Sequence, residues 1–232
     1  RDEPIETSIA LTDFAAALAG DRSGLKVRLS GTPVKFAFDG NWSTRPTLKI
    51  EGTVAADTTS LRDTLRWAGL KPLTGGGFGR FALKAKTNVS GGTIALSTVN
   101  VELDGNVAEG VLTFATDGRQ TLQGTLAADE LNLTPYISTV RLLTNTERDW
   151  NRVPLALAGL GGFALDFRPS AAHITVGRAK LGRTAIATNL RGGKLTVTIG
   201  ESQAFGGVLK GTLGLAASDL GFIIAKQDTK NQ

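Results

Sequence analysis

From Leu25 onward the chain alternates apolar and polar residues with a period of two, the signature of strands with one greasy and one wet face. Val27 and Leu29 share a face, and after a turn at Gly31-Thr32-Pro33 so do Val34, Phe36 and Phe38. Residues 47–55 read as the next strand, with Leu48, Ile50 and Val54 inward and Lys49, Glu51 and Thr53 outward. From Arg80 come FALKAKTNV, GTIALSTVNVELDG, GVLTFATDG and QTLQGTLAAD, separated by Gly91-Gly92, Asp104-Gly105 and Asp117-Gly118. Such turns between alternating segments predict an antiparallel meander. Residues 145–160 break the pattern, after which GGFALDFRP, HITVGRAKLG, RTAIATNLRGG, KLTVTIGE and GVLKGTLGLAA resume it.

Three short segments carry helical spacing instead. Thr12 is read as the N-cap of a helix over 13–19 that Gly20 ends. Ser60 stands three residues before Asp63 and opens a helix over 60–68, whose Leu61, Leu65 and Ala68 form one stripe and which Gly69 and Pro72 stop. Thr134 and Pro135 open a third, with Tyr136, Ile137, Val140 and Leu143 as its apolar side. The segment GTLAAD before that third helix echoes GTVAAD at 52–57, and GTLGLAASDLGFII at 211–224 is a further variant. Degenerate repetition of this kind points to stacked units sharing one apolar surface. The expected fold is all-β dominated: a curved antiparallel β-sheet, trough-like or taco-like and built of degenerate repeats, with two or three short amphipathic helices. It is expected to be one elongated domain over 1–232 with a sub-boundary near 145–160 and a polar, disordered tail at 226–232. The absence of methionine and the repeat-like text at both ends read as a fragment of a longer chain.

Composition narrows the function more than the fold. Hydrophobic residues make up 41% and charged residues 20%, which argues against disorder over most of the length. With no cysteine there is no disulfide framework and no thiolate metal site. No run reaches the roughly 18 apolar residues of a membrane span. The net charge of +5 raises the question of nucleic acid. The cations Lys26, Arg28, Lys35, Lys84, Lys86, Arg178, Lys180 and Lys210 are spaced singly at outward strand positions, without a dense tract or interleaved aromatics. They read as a solvated face that also favours anionic headgroups, and no nucleic-acid partner is expected.

Candidate chemistry is sparse. His173 is the sole histidine, and no GxSxG elbow accompanies it, so no hydrolase triad is expected. Asp129 and Glu130 adjoin a helix entry, where capping accounts for them, with Asp57 at the matching place in the earlier repeat and Asp219 at a nearby one in the later. Trp42, Trp67 and Trp150 stand in three unrelated contexts and read as packing residues. The glycines of LTGGGFGR at 73–80 lack the pattern of a phosphate loop and read as a connector. The expectation is a protein that is not an enzyme and uses no cofactor and no metal.

Two stretches are similar to the C-terminal region of the AsmA family of bacterial envelope proteins. They are 103–136, LDGNVAEGVLTFATDGRQTLQGTLAADELNLTPY, and 171–215, with VGRAKLG and AFGGVLKGTL in order. The resemblance spans Thr47 to Ala217 and rests on glycines and aliphatic residues whose order, more than any single motif, is distinctive. It implies a periplasmic protein tethered to the inner membrane by an anchor outside this fragment. It also implies kinship with bridge-like lipid-transfer proteins, a role in outer-membrane lipid homeostasis and envelope integrity, and no catalytic residues. A phospholipid or other acyl lipid is then the expected ligand, with envelope proteins as candidate partners. Its groove would be lined by Val27, Leu29, Val34, Phe36, Phe38, Leu48, Ile50, Leu83, Ile94, Leu96, Leu112, Phe114, Leu126, Leu165, Ile174, Val176, Leu195, Val197, Ile199 and Leu213. The alternative is a structural or partner-docking β-domain whose apolar face is a closed core. Alternation is the same in both.

Overall fold

The computed structural model describes residues 4–70, 75–136, 163–204 and 206–216. Twelve strands dominate it, as the alternation demands, and the chain divides into two compact units, 1–73 with 78–114, and 74–77 with 115–232. The boundary near 145–160 and the tail at 226–232 lie outside the described residues.

The first unit contains β1 (Ile5–Leu11), β2 (Ser23–Gly31), β3 (Lys35–Ser43), β4 (Lys49–Thr58), β5 (Phe81–Ser90), β6 (Thr93–Leu103) and β7 (Asn106–Ala115), side by side in chain order. Every described register here is antiparallel. Gly91 and Gly92, at φ 48° and 68°, form the two-residue loop between β5 and β6, and Asp104 and Gly105, at φ 52° and 81°, form that between β6 and β7. Both central residues lie at positive φ, the primed geometry whose twist matches paired strands.

Register then decides which side chains share a face, because residues directly opposite project to the same side. Val27 stands opposite Phe38, and Phe38 opposite Val54, which in turn faces Ala85. Gly40 and Gly52 are also opposite one another. A Cβ on Gly40 would fall on the Glu51 carbonyl oxygen, 2.6 Å from the Gly52 Cα and 2.8 Å from the tip of the Phe38 ring. The ring therefore lies over a bare stretch of backbone that only glycine provides.

A strict period of two would send Val99, Val101 and Leu103 to the side opposite Ile94 and Leu96. The structure keeps all five together by a β-bulge at Thr98, whose φ is 50°. Leu96 faces Thr87 before the bulge, and Val101 faces Leu83 after it. One extra residue restores the phase that the sequence loses at Ser97-Thr98.

The second unit contains β8 (Gln120–Asn132), β9 (Phe163–Val176), β10 (Ala179–Arg191), β11 (Lys194–Ala204) and β12 (Gly207–Ala216), with a 3-10 turn at Thr134–Tyr136. Here the antiparallel expectation needs correcting, since β8 and β9 run parallel, with Leu122 opposite Leu165 and Leu131 opposite Ile174. A parallel pair requires a crossover of a dozen residues or more, and the irregular segment between them supplies that length. The third expected helix is described only as the 3-10 turn, the remainder lying outside the described residues. The other pairs are antiparallel, with register shifts around Arg183 in β10 and Gly200-Glu201 in β11 that again hold the apolar positions in phase.

Two short helices occupy opposite ends of the first unit's strands. α1 (Phe14–Ala19) is capped by Asp13 rather than Thr12: the Asp13 carboxylate accepts from the Ala16 amide at 2.9 Å, and Gly20 closes the helix at φ 79°. Asp13 is itself held by buried Ser23, whose hydroxyl donates to the Asp13 carbonyl at 2.8 Å. α2 (Leu61–Trp67) has the expected cap, with Ser60 accepting from the Asp63 amide at 3.2 Å. Leu61 and Leu65 are half-buried, while Ala68, the C-cap, is exposed. The connector read as a plain turn completes this helix, because its Gly79 and Phe78 carbonyls accept from the Leu61 and Arg62 amides at 2.7 and 2.8 Å. Asp104 holds that connector in turn, accepting from the Phe78 and Gly79 amides at 2.8 and 2.7 Å. Initial N–H groups that a short helix leaves unpaired thus find partners.

The cap makes α2 sensitive to acid. Hydrogen bonding to Ser60, then the Arg66 guanidinium at 2.6 Å, holds the exposed Asp63 carboxyl below its ordinary value of 3.8. A depressed folded-state pKa stabilises fully above the ordinary value, and that contribution is lost as pH falls through the lowered one. Amide protection at 64–67, taken relative to the intrinsic exchange rate at each pH, is therefore expected to fall below about pH 3.8. Ser60→Ala should remove about 1 kcal/mol at neutral pH, measured by urea unfolding, and blunt the acid step.

Candidate functional site

Because the strands of each unit lie in chain order and in phase, each unit gathers most of its apolar side chains onto one face, although Val107 and Val111 of β7 stand exposed on the other. In the first unit Val27, Leu29, Phe36, Phe38, Ile50, Leu83, Ile94 and Leu96 are brought to a common side by the registers. Val34 precedes β3 in the same phase and is half-buried. Leu112 and Phe114 join them, since the Asn100 amide donates to the Glu109 carboxylate at 3.1 Å and so assigns the odd-numbered positions of β7 to the polar side. Leu48 departs from expectation: it lies in the loop before β4 and is 46% exposed.

In the second unit Leu126, Leu165, Ile174, Val176, Leu195, Val197 and Ile199 share a face, and Leu213 pairs with Val197 in the register. Reading the sequence left out Phe167, Ile186 and Leu190, which the registers add to the same surface. Their parity with Leu165 and with Leu195–Ile199 was the available signal. A buried hydroxyl pair interrupts this face: Thr184 and Ser202 lie opposite one another with their oxygens 2.7 Å apart. Thr184 also donates to the Gly182 carbonyl at 2.9 Å, so the pair satisfies itself without water.

The burial of these faces is their most informative property. Among the described residues the buried apolar side chains, apart from Pro33 in the β2–β3 turn, are only Phe38, Ala85 and Val99 in the first unit, and Ala164, Ala171, Ile174 and Leu190 in the second. Val27, Leu29, Phe36, Ile50, Leu83, Ile94 and Leu96 are half-buried, as are Leu126, Leu165, Leu195, Val197 and Ile199. A closed core would hold most such residues out of water. Here apolar surface runs from strand to strand within each unit and stays open to whatever can cover it.

The opposite faces are polar and held by exposed ion pairs, Lys26 with Asp39 at 3.0 Å across β2 and β3 being one and Arg168 with Asp166 at 3.2 Å in β9 another. Such pairs contribute little to stability and chiefly keep these sides wet. His173 is exposed in β9 opposite Glu130. Among the described residues no three histidines, aspartates or glutamates gather where they could hold a metal, and no helix is long and apolar enough to cross a membrane. Trp42 is half-buried opposite Ile50, Trp67 is 42% exposed on α2, and Trp150 lies outside the described residues.

Fold and surface together define a β-rich protein with open apolar sheet faces. No family model, curated protein or solved structure matches the chain.

Proposed function

We propose that the apolar faces of this chain bind the acyl chains of lipids, making it a non-enzymatic lipid-binding and lipid-transfer module. The observation that carries this reading is the half-buried state of nearly every large aliphatic side chain on those faces. Covering them with a hydrocarbon chain gains roughly 0.8 kcal/mol per buried methylene. No individual residue need grip the lipid, so a chain can slide from one strand to the next, which suits transfer better than storage. The same half-burial weighs against the alternative of a structural or docking domain with a closed core.

The resemblance to the AsmA family extends the proposal to a periplasmic setting, an inner-membrane tether outside this sequence, and a part in outer-membrane lipid homeostasis. Protein purified in mild detergent-free buffer is expected to carry phospholipid detectable by native mass spectrometry, and after delipidation to take up a fluorescent fatty acid saturably. Absence of both bound lipid and uptake would remove the proposal.

A further inference from the structure

One concavity of the first unit lies on its polar side. It has a volume of about 580 Å³ and is formed by four consecutive strands: Thr53 of β4, Lys84 and Lys86 of β5, Thr98 and Asn100 of β6, and Glu109 and Gly110 of β7. Register places Lys86 opposite Thr53 and Lys84 opposite Asn100, so both ammonium groups, the hydroxyl and the amide share this side. Buried Ala85 and Val99 lie beneath them.

Three features of this place favour an anion. Lys84 and Lys86 are two residues apart on one strand and exposed, and neither takes part in a described ion pair, whereas Lys26, Arg22, Arg66, Arg80 and Arg168 each do. Like charges side by side repel, and an anion between them relieves that repulsion. The one carboxylate at the rim, Glu109, accepts from Asn100 at 3.1 Å, leaving the site with a net positive charge. Finally, the Thr98 bulge stands in the concavity at φ 50°, a backbone region that a β-branched residue rarely occupies and that is concentrated at functional sites.

We infer that this concavity is a binding site for a phosphate-type anion, held by the Lys84 and Lys86 ammonium groups with the Thr53 hydroxyl and the Asn100 amide as further donors. Charge-assisted donors grouped on one side of neighbouring strands suit the oxygens of a phosphate group. The site is on the side opposite the acyl-binding face of the same strands. It therefore does not receive the headgroup of a lipid whose tail lies on that face, and the inference stands independently of the proposed function. The anion comes either from phosphate free in solution or from the headgroups of a membrane surface against which the polar side rests.

The test uses the whole chain, titrated calorimetrically with inorganic phosphate and co-sedimented with phosphatidylglycerol or phosphatidylcholine vesicles. A variant carrying Lys84→Gln and Lys86→Gln is compared with a charge-matched variant carrying Lys35→Gln and Lys49→Gln. Saturable binding that weakens about tenfold or more only in the first variant supports the site. Binding of inorganic phosphate assigns the free anion, and binding of phosphatidylglycerol vesicles alone assigns the headgroup. No binding to either probe, or equal weakening in both variants, overturns it. Fatty-acid uptake is expected to be unchanged in the Lys84/Lys86 variant, so failure of the acyl reading and failure of this site are told apart.

Discussion

Leu96→Glu and Phe36→Glu in the first unit, and Val197→Glu in the second, are each expected to weaken fatty-acid uptake by about 100-fold or more while the far-ultraviolet dichroism stays that of the parent. The reason lies in the burial of these positions. All three are half-buried, so in the free protein a carboxylate there keeps much of its hydration and the strands tolerate it. When an acyl chain covers the site that hydration is lost with nothing to replace it, and an uncompensated buried charge costs several kcal/mol. In a closed core the order reverses: the same substitutions would unfold the protein before any ligand was added. Uptake and unfolding measured on the same three variants therefore separate the two readings. Undiminished uptake in all three would show that the acyl chain goes elsewhere.

Gly40→Val should be the most destabilising single change in the first unit, costing about 3 kcal/mol in urea unfolding. The opposed glycines of β3 and β4 leave no room for a Cβ, since one at Gly40 would strike the Glu51 carbonyl and the Phe38 ring. Backbone cannot retreat as a flexible side chain can, so the strands must part or Phe38 must leave its seat. Gly211→Ala provides the contrast. Nothing stands within 4 Å of a Cβ at Gly211, and its φ is not in the left-handed region. There the substitution is expected to be neutral or to stabilise by about 0.5 kcal/mol, through the entropy the unfolded chain loses. Equal costs at Gly40 and Gly211 would refute the close approach described between β3 and β4.

Much of this was legible from spacing. Paired glycines or Asp-Gly between alternating runs located the β5–β6 and β6–β7 hairpins, because a two-residue loop with both residues at positive φ admits few others. The Ser60 cap was legible because capping is local, needing only a hydroxyl and an amide three residues on. At α1 two capping residues stand in succession, and choosing Asp13 over Thr12 required Ser23, distant in sequence, to hold Asp13 in place. Leu48 had the right parity for an inward position and yet falls before the strand begins, since parity does not say where pairing starts.

Taken alone, the order of residues determined that the chain forms many short strands, each with one apolar and one polar side, because a period of two is a property of the extended backbone itself. Three matters belonged to the tertiary structure. The bulge at Thr98 decided that Val99 and Val101 lie with Ile94 and Leu96, since only pairing with β5 reveals which residue is extra. The parallel run of β8 beside β9 was decided by long-range pairing, which leaves no mark on either strand's own pattern. Openness of the apolar faces was decided last, because an alternating strand looks the same whether its apolar side meets another layer or is left half-exposed, and only the coordinates of its neighbours distinguish them.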